Sequence, residues 1–514
     1  MHKTEIDGLP FLPAPGRIEI QDGELASGIH ISGPPEWFDH LPLLARRYKL
    51  TPVSVSGGAR LPASDDAAVP GNAAVPGGGC TVKIQAEQDM RSVRAELYCK
   101  DRTGAARAGG LIIQAMWMLQ HGYDWGSGIL HIQDAPAFPV RGMHLDVARH
   151  FFDADTVMRI LDYCAMVGIN RFHWHLTDDQ GWRLPVAGYP SLTESGAAYT
   201  AAEVQRVVAH AASLSITLVP EIDLPGHVQA VLAAVPELVS GDIKGETPAE
   251  PWGDYGINPW ALSPFNPMTW VFIDRVLKET ASLFQTSRIH LGGDECLGLN
   301  WQSDPFCLEW AREQGLPEFP MEFDDIQIWE RHPARRAIYR EFIQRLLHLA
   351  EKRGYELELW DDVLETVGGE DGERLPAQLL CWHAEAGQQE RARKTGVPWI
   401  ACPEDTVYFD HAQSDQAGEP GPVHFSPNPI NLTDVLAWIP PEDASGVQCC
   451  LWTEAVTSVS RLEFMLFPRL WGFAEAAWSG GAVSRREEVA RRVEVWTKFH
   501  QQLGITVRPQ GFVP

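Results

Sequence analysis

From residue 139 onward the chain repeats one pattern eight times: an apolar, strand-like run that ends in polar residues. The runs are "VRGMHLDVA" from 140, "NRFHWHLTDD" from 170, "ITLVPEID" from 216, "RIHLGGDE" from 288, "LELWDD" from 357, "QLLCWHAE" from 378, "PWIACPE" from 398 and "VQCCLWTE" from 447. Between them lie segments such as "DADTVMRILDYCAMVG" and "AIYREFIQRLLHLAEKRG", which carry apolar residues at helical spacing and end in glycine. Strands that alternate with helices imply a parallel sheet. Eight such units imply closure, so the fold expected for residues 136–514 is α/β, a (β/α)8 TIM barrel. Active sites of that fold lie at the carboxyl ends of the strands, which makes the polar residues ending these runs candidates to converge on one pocket.

Residues 1–135 have a different texture. Short β-like runs, "RIEI" and "TVKIQA", are separated by Gly, Pro and Ala, and "AAVPGNAAVPGGG" at 67–79 reads as a loop. "GGLIIQAMWMLQHG" at 109–122 has the apolar density of one helix, and "ILHIQDAPAF" reads as a last strand. This part is expected to be a small α+β domain with no visible chemistry of its own.

Composition narrows the partners. A net charge of -26, from 68 acidic and 42 basic residues, repels phosphate backbones and anionic lipid, and the basic residues form no tract denser than "RHPARRA" at 331–337. Neither nucleic acid nor membrane is expected. The first residues, "MHKTEIDGLPFLPAPGRIEI", have no apolar core behind a basic start, and no window approaches the roughly 18 apolar residues of a spanning helix. Nine cysteines without a C-x-x-C pair read as buried thiols of a reducing compartment, so a cytoplasmic location is expected.

The stretch "RIHLGGDECLGLNW", 288–301, sets Asp294 beside Glu295 at a strand end. Two like charges so close are hard to ionise together. Enzymes that cleave sugars with two carboxylates hold them across the scissile bond, roughly 5 Å or more apart, and neighbours in sequence fit that plan badly. Yet "RGMHLDVARHFF", "FHWHLTDDQGWRLPV", "VPEIDLPGH", "HLGGDE" and "LWTEAV" resemble, in order and spacing, the motifs of glycoside hydrolase family 20, the β-N-acetylhexosaminidases. The resemblance runs from about Pro139 to about Ser479.

That resemblance implies a different use for the pair. The family's nucleophile is the carbonyl oxygen of the substrate's own 2-acetamido group, so the protein need not supply one. Glu295 then matches the general acid/base, and Asp294 the residue that accepts the acetamide N–H and stabilises the oxazolinium intermediate. An acid needs a raised proton affinity, which a nearby ionised Asp would help to supply. Gly292 and Gly293, lacking side chains, would let the sugar approach the strand end closely. Asp178 and His227 resemble an Asp and a His relayed behind the acid/base. Arg141 resembles the arginine that grips the sugar's 3- and 4-hydroxyls with its planar fork. Trp360, Trp382 and Trp452 resemble the indoles that wall the N-acetyl pocket, Tyr408 the tyrosine that bonds the acetamide oxygen, and Glu454 the carboxylate at the far side of the sugar. The implied substrates are oligosaccharides or glycoconjugates ending in N-acetylhexosamine, cleaved from the non-reducing end, with no metal or other cofactor.

Two features depart from the family pattern. "LPEFPMEFDDIQIWERHPARR", 316–336, is longer than expected there and could shape the aglycone side or a contact in a homo-oligomer, and residues 1–135 match only loosely. Two other readings compete. His173 and His175 alternate onto one strand face, and with His227, His290 and Asp294 they suggest a metal-dependent barrel hydrolase. A barrel that binds amino sugars without cutting them would keep the aromatics but lose the acid, whereas here Asp294 and Glu295 are both present.

Overall fold

The computed structural model describes residues 9–509 apart from 26–28, 33–34, 39, 51–78, 88–92, 100, 124, 195, 321–325, 368–374, 385, 417, 422–427 and 482–484. All eight runs are strands, and together they close a parallel barrel. Numbering strands from the amino end of the chain, β1 to β5 precede the barrel, and the barrel contains β6 (Val140–Asp146), β7 (Arg171–His175), β10 (Thr217–Leu224), β11 (Arg288–Gly292), β12 (Glu356–Trp360), β13 (Ala377–Cys381), β14 (Trp399–Ala401) and β15 (Gly446–Leu451). A short hairpin, β8 (Thr177–Asp178) with β9 (Gly181–Trp182), follows β7. β15 pairs with β6 to close the ring, from Gly446 opposite Val140 to Leu451 opposite Leu145. β7 and β15 are buried along their whole length, as strands covered on both faces must be.

The helix Ala154–Met166 shows how sequence sets these units. Asp153 caps it by accepting the N–H of Thr156 at 2.8 Å, and Val157, Ile160, Leu161 and Cys164 form its buried stripe. Each large apolar side chain buried in this way contributes about 1.5–3 kcal/mol. The helix stops at Val167, where Gly168 takes φ +78°.

Before the barrel, β1 (Arg17–Gln21), β2 (Ile29–Ser32), β3 (Cys80–Ala86), β4 (Val93–Cys99) and β5 (Ile129–Asp134) form a separate sheet in the order β1-β5-β3-β4-β2. The helix Arg102–Gln120 is buried nearly all round because it lies between this sheet and the barrel, and Gln114 donates to the Met166 carbonyl at 3.2 Å. The 67–79 loop lies outside the described residues except for Gly79. Among the described residues, no helix is long and apolar enough to cross a membrane.

Candidate active site

Asp294 and Glu295 lie one residue past the end of β11, at the carboxyl end of the barrel. The chain turns sharply there, with φ of +64° at Gly292, +98° at Gly293 and +44° at Glu295. A left-handed glutamate is strained, and His227, facing it, has φ +52°. Neighbours hold the turn: the Tyr339 hydroxyl donates to the Gly293 carbonyl, and the Glu295 N–H donates to Asp362 Oδ1 at 3.2 Å. The two glycines make room for protein rather than for sugar, contrary to the sequence reading. A Cβ on Gly292 would fall 1.7 Å from Asp223 Oδ1, and one on Gly293 would fall 2.8 Å from a Val363 methyl.

Asp294 is nearly buried, and its Oδ1 has no hydrogen-bond partner among the described residues. Burial raises its carboxyl to about 6, against the opposing charge of His227 and with help from Glu221 and Glu295. His227 places Nε2 3.5 Å from Glu295 Oε2 and 3.8 Å from Asp294 Oδ2. Its Nδ1 lies 3.1 Å from Asp179 Oδ2 and 3.3 Å from Asp178 Oδ1. Burial opposes a charge on this imidazole, but Asp178 and its hydrogen bonds to Asp178, Asp179 and Glu295 prevail, and His227 is protonated well above the usual histidine range. Both aspartates of "TDD" therefore reach His227, where the sequence reading named only Asp178.

The aromatic candidates converge. Trp360 and Trp452 have ring centroids 6.0 Å apart, Trp452 and Tyr408 6.3 Å, and Tyr408 and Trp382 6.4 Å. Trp360 is pinned by its indole N–H, which donates to Glu221 Oε1 at 2.9 Å, and Trp382 by donation to Asp362 Oδ2 at 2.7 Å.

Arg141 lies elsewhere. It stands near the start of β6, and its fully buried guanidinium donates to the carbonyls of Phe138 at 2.6 Å and Gly168 at 2.7 Å while covering the Trp478 ring. That is the amino end of the barrel, so its proposed grip on sugar hydroxyls does not hold. The arginine at the carboxyl end, beside Asp178, Glu454 and Trp452, is Arg149, just past the end of β6 and missed in the sequence reading. Its Nη2 is 2.8 Å from Asp178 Oδ2, its Nη1 3.8 Å from Glu454 Oε1, and its guanidinium lies 4.9 Å from the Trp452 ring centre. Asp410, two residues after Tyr408, was also missed, although the same spacing separates Glu454 from Trp452. Its Oδ1 is buried without a partner among the described residues, and burial raises its carboxyl to about 7.

The histidines of the metal reading do not form one centre. His173, His175 and His290 surround Glu221 in the barrel interior, at 3.0, 2.6 and 2.8 Å, while His227 belongs with Asp178, Asp179 and Asp294. Among the described residues five groups have donor atoms close enough to share an ion: His144 with His173 and Glu221, His175 with Glu221 and Asp223, Asp178 with Asp179 and His227, Asp223 with His227 and Asp294, and Asp361 with Asp362 and His383. Most of those donors already face one another as acid and base.

Beside Glu295 a cavity of about 200 Å³ opens between Ile257, Leu297, Glu330, Trp382 and His383. The 316–336 segment contributes Glu330, and its Trp329 and Arg335 donate to the carbonyls of Leu297 and Cys296, just beyond Asp294 and Glu295. Residues 321–325 of it lie outside the described residues.

Comparison with known proteins agrees with this geometry. The family described as "Glycosyl hydrolase family 20, catalytic domain" matches residues 138–481. A β-hexosaminidase of Porphyromonas gingivalis is 31% identical over 389 residues, covering 71% of this chain and 46% of that protein. One from Vibrio furnissii is 32% identical over 379 residues, covering 67% and 57%. The chain thus spans about half the length of these relatives. The solved structure of a β-N-acetylhexosaminidase from Streptomyces coelicolor A3(2) superposes with TM-score 0.76 at 22% identity over 98% of this chain and 97% of that one, a likeness of fold.

Proposed function

The chain belongs to glycoside hydrolase family 20, and from that premise we propose that it is an exo-acting β-N-acetylhexosaminidase that works with retention through the substrate's own acetamide. The observation that carries the reading is the buried, partnerless Oδ1 of Asp294 beside Glu295, at the same barrel end as the chain of neighbouring rings Trp360, Trp452, Tyr408 and Trp382. A carboxylate oxygen held there without a donor suits an acetamide N–H.

In the first step Glu295 gives its proton to the glycosidic oxygen as the acetamide oxygen attacks the anomeric carbon from the opposite face. The C–O bond to the aglycone breaks and a cyclic oxazolinium forms. Asp294, ionised, accepts the acetamide N–H and sits beside the developing positive charge. In the second step Glu295 takes a proton from water, the water oxygen attacks the anomeric carbon, and the ring opens to the β-configured sugar and a free acetamide. Two displacements return the starting configuration. Arg149, with Glu454 and Asp410 near it, supplies the polar end where hydroxyls of a terminal sugar would be held, which supports an exo mode. Substrates are oligosaccharides or glycoconjugates with a terminal N-acetylhexosamine. Nine unpaired thiols support a reducing compartment.

Rates on aryl β-glycosides of N-acetylglucosamine, N-acetylgalactosamine, glucose and galactose test the reading. One or both N-acetylated sugars should be cut and the plain hexosides scarcely touched. Comparable turnover of the glucoside would refute it.

A further inference from the structure

Glu221 is wholly buried on β10, in the interior of the barrel, and both its oxygens are engaged. Oε1 accepts from Trp360 and lies 2.8 Å from His290 Nδ1, while Oε2 lies 2.6 Å from His175 Nδ1 and 3.0 Å from His173 Nε2. His175, equally buried, turns its other nitrogen to Asp178 Oδ2 at 3.0 Å. An imidazole that faces a carboxylate on each side can donate to both only when both nitrogens carry protons. It is then a cation between two anions.

From Asp178 the contacts continue outward. Oδ2 also takes Arg149, Oδ1 faces His227, and His227 reaches Glu295. The family resemblance supplied only Asp178 and His227. Resting on the proposed hexosaminidase reading, we propose that His175, anchored by Glu221, is a positioning residue for the acid/base: it fixes the Asp178 carboxylate so that His227 is held against Glu295. A neutral side chain at 175 keeps the volume but loses the charge between Glu221 and Asp178. Asp178 is then free to follow Arg149, and His227 loses its fixed acceptor. An outer partner of this kind is worth about 10- to 100-fold behind metal-binding histidines, and a loss on that scale is expected for the carboxylate Glu295.

A purely structural role would lower all activities together. A role through Glu295 falls on leaving-group protonation, so it spares substrates whose leaving group needs no proton. The test measures kcat/KM of His175→Gln on a nitrophenyl glycoside and on a disaccharide of N-acetylglucosamine, in one preparation, so that the ratio is independent of the folded fraction. The expected loss is about 10- to 100-fold on the disaccharide and within about threefold on the activated glycoside. In a Glu295→Gln background, adding His175→Gln should cost the disaccharide little more. Equal losses on both substrates, or full additivity with Glu295→Gln, overturn the inference. Should His175→Gln not fold, the same ratio is read on Glu221→Gln. An inactive wild-type enzyme would refute the hexosaminidase reading instead, whereas an active wild type with an unchanged ratio refutes only this inference.

Discussion

Arg141 and Arg149 sit at opposite ends of the same barrel strand: the first binds the carbonyls of Phe138 and Gly168 at its amino end, the second binds Asp178 beyond its carboxyl end. Of the two, Arg149 is the one beside Asp178 and Glu454. Arg149→Lys keeps the charge and loses the planar fork, so kcat/KM should fall at least about tenfold, with KM raised and the melting temperature little changed. Arg141→Met leaves buried carbonyls without donors, at about 1–3 kcal/mol each, and should lower the melting temperature while KM stays at the wild-type value. Steady-state kinetics and thermal unfolding of the two variants check both statements, and a reversed pattern would return the sugar-binding role to Arg141.

The misplacement of Arg141 shows what the sequence could and could not tell. Both arginines lie within "RGMHLDVARHFF", so the motif alone does not choose between them. Strand polarity does, because Arg141 is near the start of the apolar run and Arg149 follows its end. The eight strands were legible since a barrel strand is a nearly continuous apolar run with its polar residues at one end. The place of Asp294 and Glu295 at the carboxyl end of β11 was legible for the same reason. Asp179 was hidden because neighbours in a strand ordinarily point to opposite faces, and only the short hairpin after β7 turns both aspartates toward His227. Glu221 lay within "VPEID", but nothing local says that its side chain points into the barrel to meet three histidines.

Glu295→Gln should reduce turnover of a disaccharide of N-acetylglucosamine by roughly 100-fold or more, the scale of lost general acid catalysis. An activated aryl glycoside should suffer less, because its leaving group departs without a proton. Initial rates on the two substrates decide the matter, and wild-type turnover of the disaccharide would remove Glu295 from the role.

The rise of the Asp294 carboxyl to about 6 by burial has a consequence for pH. On the proposed mechanism its ionised form accepts the acetamide N–H, so the productive species should be present above about pH 6 and be lost as the pH falls through that value. In free enzyme, kcat/KM should drop about tenfold per pH unit on the acid side. Asp294→Asn should be slow throughout and lack this limb. A profile level from pH 7 down to pH 4.5 would show that Asp294 need not be charged.

Hydrolysis should require the 2-acetamido group and should yield the β-anomer first. On the proposed mechanism Asp294, 3.8 Å from His227 and with Oδ1 unpartnered among the described residues, takes the acetamide N–H rather than attacking the ring, and a bare 2-hydroxyl offers no nucleophile. A thiazoline that copies the cyclised intermediate should inhibit much better than N-acetylglucosamine, because it resembles the charged state that Asp294 and the indoles surround. That advantage should shrink in Asp294→Asn, where the negative charge beside the ring is gone. Proton NMR of the first-formed sugar, together with inhibition constants for the two proteins, measures all three effects. An initial α-anomer from a β-linked substrate, or equal inhibition of wild type and Asp294→Asn by the thiazoline, would mean that the adjacent carboxylates do not work through the substrate's acetamide.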